Sequence, residues 1–133
     1  MREIVINKCY GGFSLSHKAI KRYAKLKGFK LFAFKYDSSI NDNKSTYTKL
    51  TDKEAEKEWI VSYYKDEEMQ DYFFGRDIPR DDKTLIRIVK ELGNEANGGH
   101  AELKIIEIPD DVKWTIEEYD GIEWVAEEHR TWG

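Results

Sequence analysis

Apolar and polar positions along the chain recur in two periods, one typical of strands and one typical of helices. Residues 4–6 are a run of Ile and Val typical of a buried strand. A helix is predicted to follow, with Ser14 or Ser16 as its N-cap, Lys27 in its last turn and Gly28 as its C-terminal glycine cap. A second helix, capped by an aspartate at 81 or 82, carries one apolar face, formed by Leu85, Ile88, Val89, Leu92 and Ala96.

The remaining apolar segments predict strands at 30–36, 46–50, 59–64, 103–108 and 113–119. We expect the strand at 30–36 to lie parallel to the strand at 4–6, in a right-handed βαβ unit around the first helix. Residues 37–57 are polar and predict a long surface excursion, which contains the short edge strand at 46–50. A turn at Asp120-Gly121 is predicted to precede a short final helix over 122–129.

This order of elements predicts a single α+β domain over residues 1–133. We expect a mixed β-sheet of about five strands, covered by two main helices and the short C-terminal helix. The apolar phases of the elements predict a core that includes Ile4, Ile6, Leu85, Ile88, Val89, Leu92, Ile105 and Trp114.

The composition sets limits on the class of protein. A length of 133 residues suits one domain, and the 36% of charged residues are mixed in sign. No apolar run approaches the roughly 18 residues that a membrane span needs. The N-terminus carries no apolar signal segment, and Cys9, the single cysteine, excludes an intrachain disulfide. We therefore expect a cytoplasmic protein that does not interact with a membrane.

The net charge of −4 hides an asymmetry between two parts of the chain. Residues 1–35 carry nine Lys or Arg residues and one acid, whereas the remainder carries 13 bases and 25 acids. Either the two parts face each other in the monomer, or the basic part meets an anionic ligand or the acidic part of a second copy. The last alternative, together with Trp124 and Trp132 near the end of the sequence, predicts a homodimer or larger oligomer.

The turn between the first strand and the first helix is a candidate anion site. Glycines allow a sharp turn there, and free N–H groups at a helix start suit a phosphate. The turn lacks the GxxxxGK[ST] and GxGxxG spacings of nucleotide-binding loops. A plain strand-to-helix connection is the alternative. The predicted ligand-binding residues are Tyr10, Gly11, Gly12, Ser14, Ser16, Lys18 and Arg22.

Cys9 and His17 are candidates for nucleophilic catalysis, because a thiolate near a helix N-terminus and a histidine can be activated. The alternative is that Cys9 is a small packing residue. The three histidines lack metal-ligand spacing, so no metal or other cofactor is predicted. Asn94, Asn97 and His100 suit hydrogen bonds to a base or ribose, or serve as cap and turn residues.

The C-terminal segment combines aromatic area with a cation, at Trp124, His129, Arg130 and Trp132. This composition is typical of an interface anchor. The alternative is a tail that folds back over the core.

Three segments of the sequence carry a resemblance to known proteins: INKCYGGFSLSHKAI, RDIPRDDKTLIRIVKELGNEANGGHAELKIIEIPDDVKW and IEEYDGIEWVAEEHRTW. They resemble a family of short uncharacterised proteins encoded by tailed phages and prophages. The resemblance covers nearly the whole chain except the polar excursion. Family members tend to have ERDDP where this chain has Pro79-Arg80-Asp81-Asp82-Lys83, so the favourable proline at the helix start is missing. The resemblance implies a viral origin, expression in a bacterial host cytoplasm and an accessory role.

Residues and resemblance together predict a phage accessory protein that binds rather than catalyses. The first hypothesis is binding of a phosphate-bearing small molecule, such as a nucleotide-derived host defence signal, which amounts to counter-defence. The second is inhibition of a host enzyme or defence protein through the acidic surface and the aromatic C-terminus. The third is a small hydrolase or transferase that uses Cys9 and His17. The acidic overall balance argues against a nucleic-acid partner.

Overall fold

The fold is described here from a computed structural model, which covers residues 1–38, 45–58 and 61–127. These residues form an α+β domain. Its strands are β1 (Arg2–Asn7), β2 (Phe32–Ser38), β3 (Ser45–Leu50), β4 (Ser62–Tyr64), β5 (Tyr72–Phe73), β6 (Leu103–Ile108), β7 (Trp114–Tyr119) and β8 (Ile122–Glu127). Its α-helices are α1 (His17–Lys27), α2 (Asp52–Lys57) and α3 (Lys83–Leu92). None of these helices has the length and apolar character needed to cross a membrane.

The described strands form three separate sheets, and every pairing is antiparallel. One sheet has the order β3-β2-β4-β5, β1 pairs with β6, and β7 pairs with β8. The predicted mixed sheet of about five strands is therefore wrong, although the α+β class is confirmed. The predicted parallel βαβ unit is also wrong, because β1 and β2 lie in different sheets. Residues 4–6 are each at most 1% exposed, so β1 is covered on both faces. The buried strand was therefore predicted correctly, although its partner was not.

Helix α1 begins and ends as its sequence predicts. The Ser16 hydroxyl accepts a hydrogen bond from the Ala19 N–H at 3.1 Å and so caps the first turn. Gly28 adopts a left-handed φ of 86°, and its N–H bonds the Ala24 carbonyl at 2.9 Å. The buried face of α1, which includes Ile20 and Tyr23, packs against the core.

Helix α3 confirms the second predicted helix, with Asp82 as its N-cap. Leu85, Ile88 and Val89 are buried as predicted, as are Ile4 and Ile6 in β1. The prediction was wrong for three core residues, which are only half-buried: Leu92, Ile105 and Trp114. Leu92 is the last residue of the α-helix and is followed by a 3-10 turn over Gly93–Ala96. The other two lie in strands of two-stranded sheets, where an unpaired edge leaves area exposed.

The end of the described chain is a β-hairpin rather than a helix. The predicted helix over 122–129 is wrong for residues 122–127, which form β8, and the last two residues of that prediction lie outside the described ranges. A two-residue turn joins β7 to β8, with φ of 50° at Asp120 and 92° at Gly121. Two positive φ angles in a two-residue loop define the turn whose twist matches paired strands.

Much of the predicted polar excursion over 37–57 is regular structure, and its residues 39–44 lie outside the described ranges. The edge strand is confirmed as β3, and α2 follows it. The cap of α2 is reciprocal: the Glu54 N–H donates to the Thr51 hydroxyl at 3.3 Å, and the Thr51 N–H donates to the Glu54 carboxylate at 3.1 Å. Of the strand predicted at 59–64, residues 62–64 form β4, and 59–60 lie outside the described ranges.

A buried amide holds the β7–β8 hairpin against the start of the chain. Asn7 is 0% exposed, and its Nδ2 donates to the carbonyls of Cys9 and Gly121, each at 2.7 Å. Its Oδ1 accepts from the N–H groups of Cys9 at 3.3 Å and Glu102 at 2.9 Å. All four hydrogen-bonding positions of this amide are therefore filled, and three segments of the chain are fixed to one another.

A buried ion pair adds a second connection to the hairpin. The guanidinium of Arg80 donates to both carboxylate oxygens of Glu123, at 2.5 and 2.9 Å. Glu123 also accepts from the backbone N–H of Asn7 at 2.8 Å. The Arg80 guanidinium lies 3.6 Å from the centre of the Phe13 ring. The hairpin is thus joined to β1 and to the segment before α3 by charge-assisted hydrogen bonds.

Candidate functional site

The predicted glycine turn is sharp, but it is closed on one side. Gly11 and Gly12 have φ of 112° and 93°, as expected for a glycine-dependent turn. A Cβ added to Gly121 would lie 2.6 Å from the Gly11 nitrogen and closer still to the Gly12 nitrogen. The hairpin turn therefore packs directly on these two nitrogens and leaves no room for an anion between them.

The two serines of the predicted site bond to the protein itself. The Ser16 hydroxyl, besides capping α1, donates to the Glu95 carbonyl at 2.6 Å. The Ser14 hydroxyl donates to the Gly99 carbonyl at 3.2 Å. Each hydroxyl has one proton, so neither donates to a ligand while these bonds persist.

The predicted cations of α1 form ion pairs with the acidic part of the chain. Lys18 lies 2.9 Å from a carboxylate oxygen of Glu95, and Arg22 lies 3.5 Å from one of Glu91. Three further pairs of the same kind are Lys21–Asp52, Lys27–Asp82 and Lys35–Glu58. These contacts support the interpretation in which the two oppositely charged parts face each other in the monomer. The oligomer prediction then depends on the aromatic C-terminus alone.

A cleft of about 830 Å³ opens beside the glycine turn, between residues 11–17, residues 97–100 and strands β4 and β5 with the turn after them. Some predicted residues line it: Gly11, Ser14, Ser16 and His17. Two of the three residues suggested for bonds to a base or ribose, Asn97 and His100, line it as well. Others do not: Tyr10, Gly12, Lys18 and Arg22. Asn97 also serves as a turn residue, because its Oδ1 accepts from the Leu103 N–H at 2.9 Å. The cleft is therefore lined by only part of the predicted set of ligand-binding residues.

Arg76 is the cation of this cleft, and the sequence analysis missed it. Its Nε donates to the Phe13 carbonyl at 3.1 Å, which fixes the guanidinium against the glycine turn. A Cβ added to Gly12 would lie 2.6 Å from the Arg76 terminal nitrogen, so this glycine makes room for the guanidinium. Within residues 1–38, 45–58 and 61–127, the ion pairs to carboxylates are all made by groups other than Arg76.

Aromatic and acidic side chains complete the lining. Tyr72 and Phe74 are 53% and 42% exposed, and their rings stack on each other with centroids 6.1 Å apart. We call this pair the aromatic shelf. Helix α2 and the residue after it contribute Glu56 and Glu58, so the lining carries charges of both signs. Glu58 pairs with Lys35 at 3.3 Å.

His17 is buried at the side of the cleft and bonds through both ring nitrogens. Its Nε2 is hydrogen-bonded to Asp52 Oδ1 at 3.0 Å, and its Nδ1 is hydrogen-bonded to the Tyr63 hydroxyl at 2.8 Å. The hydrogen bond from His17, helped by the charge of Lys21, lowers the pKa of Asp52 below its usual 3.8. Burial raises the pKa of Tyr63 well above its usual range. This group fixes the start of α2 to α1.

The contact between Asp52 and His17 predicts loss of stability in acid. The pKa of Asp52 is lower in the native state than in the unfolded chain, so the native state binds this proton less readily. Its stabilisation is therefore present above about pH 4 and is lost as the pH falls through the native pKa. We expect Asp52→Asn to flatten the fall of the melting temperature in that range, as measured by circular dichroism. A wild-type profile in the variant would contradict this role of the carboxylate.

The hydrogen bonds between described residues do not join Cys9 to His17. Both nitrogens of His17 are bonded to other side chains. The half-buried Cys9 contacts Asn7 through its backbone N–H and carbonyl. In the same ranges, no three His, Cys, Asp or Glu side chains cluster as metal ligands would.

The predicted C-terminal interface is described only at Trp124. This residue lies in β8, is 40% exposed and donates from Nε1 to the Glu117 carboxylate at 3.0 Å. His129, Arg130 and Trp132 lie outside the described ranges, so the interface stays a prediction.

Comparison of the chain with protein-family models, with curated proteins and with solved structures finds no match. The resemblance to phage and prophage proteins therefore also stays a prediction.

Proposed function

We propose that the protein binds a phosphate-bearing small molecule in the cleft, with Arg76 as the partner of the anionic group. The observation that carries this proposal is a guanidinium that lines a cleft of about 830 Å³ and pairs with no carboxylate among the described residues. Small-molecule sites typically enclose about 300–1,000 Å³ and contain few charged groups.

The geometry of Arg76 suits a phosphate in particular. A guanidinium has five N–H donors, and the Phe13 carbonyl takes only the one on Nε. The remaining donors lie on the terminal nitrogens, whose planar fork matches two oxygens of a phosphate. Because the carbonyl already orients the side chain, less conformational entropy is lost when the anion binds.

The proposal retains the ligand class predicted from the sequence and changes the residues that hold it. The nitrogens of Gly11 and Gly12 are covered by the hairpin, and Lys18 and Arg22 pair with carboxylates elsewhere. In the phage context that the resemblance implies, a nucleotide-derived host defence signal is the ligand we expect, and its binding would counter that defence.

The test is a calorimetric titration of the wild type and Arg76→Gln with nucleoside monophosphates and ribose 5-phosphate. We expect Arg76→Gln to weaken binding by about 10- to 100-fold, the usual effect of losing a hydrogen bond to a charged group. Added salt should shrink the difference, because an exposed charge is screened. Arg76→Lys should retain part of the affinity, since it keeps the charge without the planar fork.

Two control variants remove a cation that does not line the cleft. The first is Arg87→Gln, since Arg87 lies on α3 and pairs with Glu91. The second is Lys18→Ala, since Lys18 lies on α1 and pairs with Glu95. Both should bind as the wild type does, and melting curves should show that all variants are folded. Equal affinity of Arg76→Gln and wild type, or absence of binding to every phosphate compound, would refute the proposal.

A further inference from the structure

We infer that the ligand is a nucleotide whose base stacks on the aromatic shelf of Tyr72 and Phe74 while its phosphate lies at Arg76. This inference rests on the proposed function, which assigns the phosphate to Arg76. It adds the part of the site that would recognise the rest of the ligand.

The shelf is an exposed aromatic surface held in a fixed orientation. Side chains two residues apart in an extended segment point to the same side, so Tyr72 and Phe74 face outward while Phe73 faces the core. The Phe73 ring packs against Tyr23 and Phe29, with centroids 6.1 and 5.7 Å apart. On the other side, Tyr64 meets Tyr72 edge-to-face at 5.3 Å. These contacts orient the rings before any ligand binds.

The distance between the shelf and the cation suits a base linked to a phosphate. The Arg76 guanidinium carbon lies 6.0 Å from the centre of the Phe74 ring. A phosphate at Arg76 therefore places the group attached to it beside the shelf. The cleft, at about 830 Å³, is far larger than inorganic phosphate requires. A planar base would cover aromatic area that is otherwise in water.

The carboxylates of the cleft favour the same orientation. Glu56 repels a phosphate, so the anion is directed to Arg76 rather than to α2, whereas Glu58 is already paired with Lys35. Carboxylates accept hydrogen bonds, and the amino groups of nucleobases donate them. A ligand with an anionic end and a ring bearing N–H donors matches both parts of this lining.

The experiment is a calorimetric titration with four probes: nucleoside monophosphates, the corresponding nucleosides, ribose 5-phosphate and inorganic phosphate. The variants are Phe74→Leu, which removes the aromatic face, and Phe74→Trp, which keeps it. We expect Phe74→Leu to weaken the binding of nucleotides and nucleosides by about 5- to 150-fold, which is the range for loss of a stacked base. The affinity for ribose 5-phosphate should not change. Phe74→Trp should bind nucleotides at least as well as the wild type.

Tyr47→Leu is the matched control, because Tyr47 is 44% exposed on β3 and does not line the cleft. It should not change the affinity for any probe. Equal binding of ribose 5-phosphate and nucleotides, with no effect of Phe74→Leu, would overturn the stacking inference and leave the proposed function intact. If nucleosides bind as tightly as nucleotides, and their binding is weakened by Phe74→Leu, the result would support stacking and refute the role of the phosphate. Tighter binding of a single-stranded oligonucleotide than of any mononucleotide would overturn the assignment to a small molecule.

Discussion

Replacement of Glu123 by alanine is expected to lower the free energy of unfolding by about 3–5 kcal/mol. The change removes both carboxylate oxygens that pair with Arg80, whose side chain is only 14% exposed. The guanidinium is then left without its anion in a site that excludes most water. The backbone N–H of Asn7 loses its acceptor as well. Urea denaturation followed by circular dichroism measures the loss.

The control for Glu123→Ala is removal of a carboxylate from an ion pair that is exposed to solvent. Glu95 pairs with Lys18 at 2.9 Å, and their side chains are 66% and 55% exposed. Glu95→Ala should therefore cost less than about 1 kcal/mol. The double variant Arg80→Met/Glu123→Leu should recover part of the stability lost in Glu123→Ala, because it removes both charges together. A cost of Glu123→Ala no larger than that of Glu95→Ala would show that this pair does not hold the hairpin.

Leu85→Ala is expected to lower the free energy of unfolding by about 2–5 kcal/mol. Leu85 is 0% exposed in the first half of α3 and belongs to the main core cluster. Truncation removes the burial of its isobutyl group and leaves a cavity that packed neighbours fill only in part. Urea denaturation measures this loss of stability. An unchanged dependence of the unfolding free energy on urea would show that variant and wild type expose similar surface on unfolding.

The same helix supplies the comparison for Leu85. Leu92 carries the same side chain two turns later and is only half-buried. Because Leu92 buries less apolar area than Leu85, Leu92→Ala should lower the free energy of unfolding by less than half as much as Leu85→Ala. Equal costs at the two positions would mean that the exposed end of α3 is covered by another part of the chain.

The helices were predictable because their signals are local. Ser16 and Gly28 at the ends of α1, and Asp82 before α3, act through hydrogen bonds within one turn. Helix α2 was missed, although Thr51 and Glu54 have the spacing of a capping box. Its short length and charged surface gave no apolar period to accompany that signal.

The partners of the strands were not predictable from the same kind of pattern. Residues 4–6 indicate a buried strand, but nothing in them specifies β6, some hundred residues away, rather than β2. The final hairpin did carry a local signal. Asp120-Gly121 between two segments of alternating polarity is typical of a two-residue hairpin, and it outweighs the helical spacing of residues 122–129.

The sequence indicated only some of the residues that line the cleft, for a related reason. The glycines and serines near α1 do line the cleft, because a strand-to-helix turn is a local feature. Long-range contacts bring Arg76 and the aromatic shelf to the cleft, among them the pairing of β4 with β5 and the bond from Arg76 to Phe13. Likewise, Gly121 approaches the turn through the long-range contacts of Asn7. No sequence period encodes which surface residues meet across such distances.

The way the hairpin and β6 close on β1 determines the order in which the chain can fold during synthesis. Asn7 bonds to Gly121 and Glu123, which lie 114 and 116 positions later in the chain. At about 5–20 residues per second, β1 waits about 5–20 s on the ribosome before β6 exists. During that time its apolar segment lacks its sheet partner and is available to chaperones or to neighbouring chains. The helices can form early, but closure of the domain waits until the hairpin that carries Gly121 and Glu123 has been made.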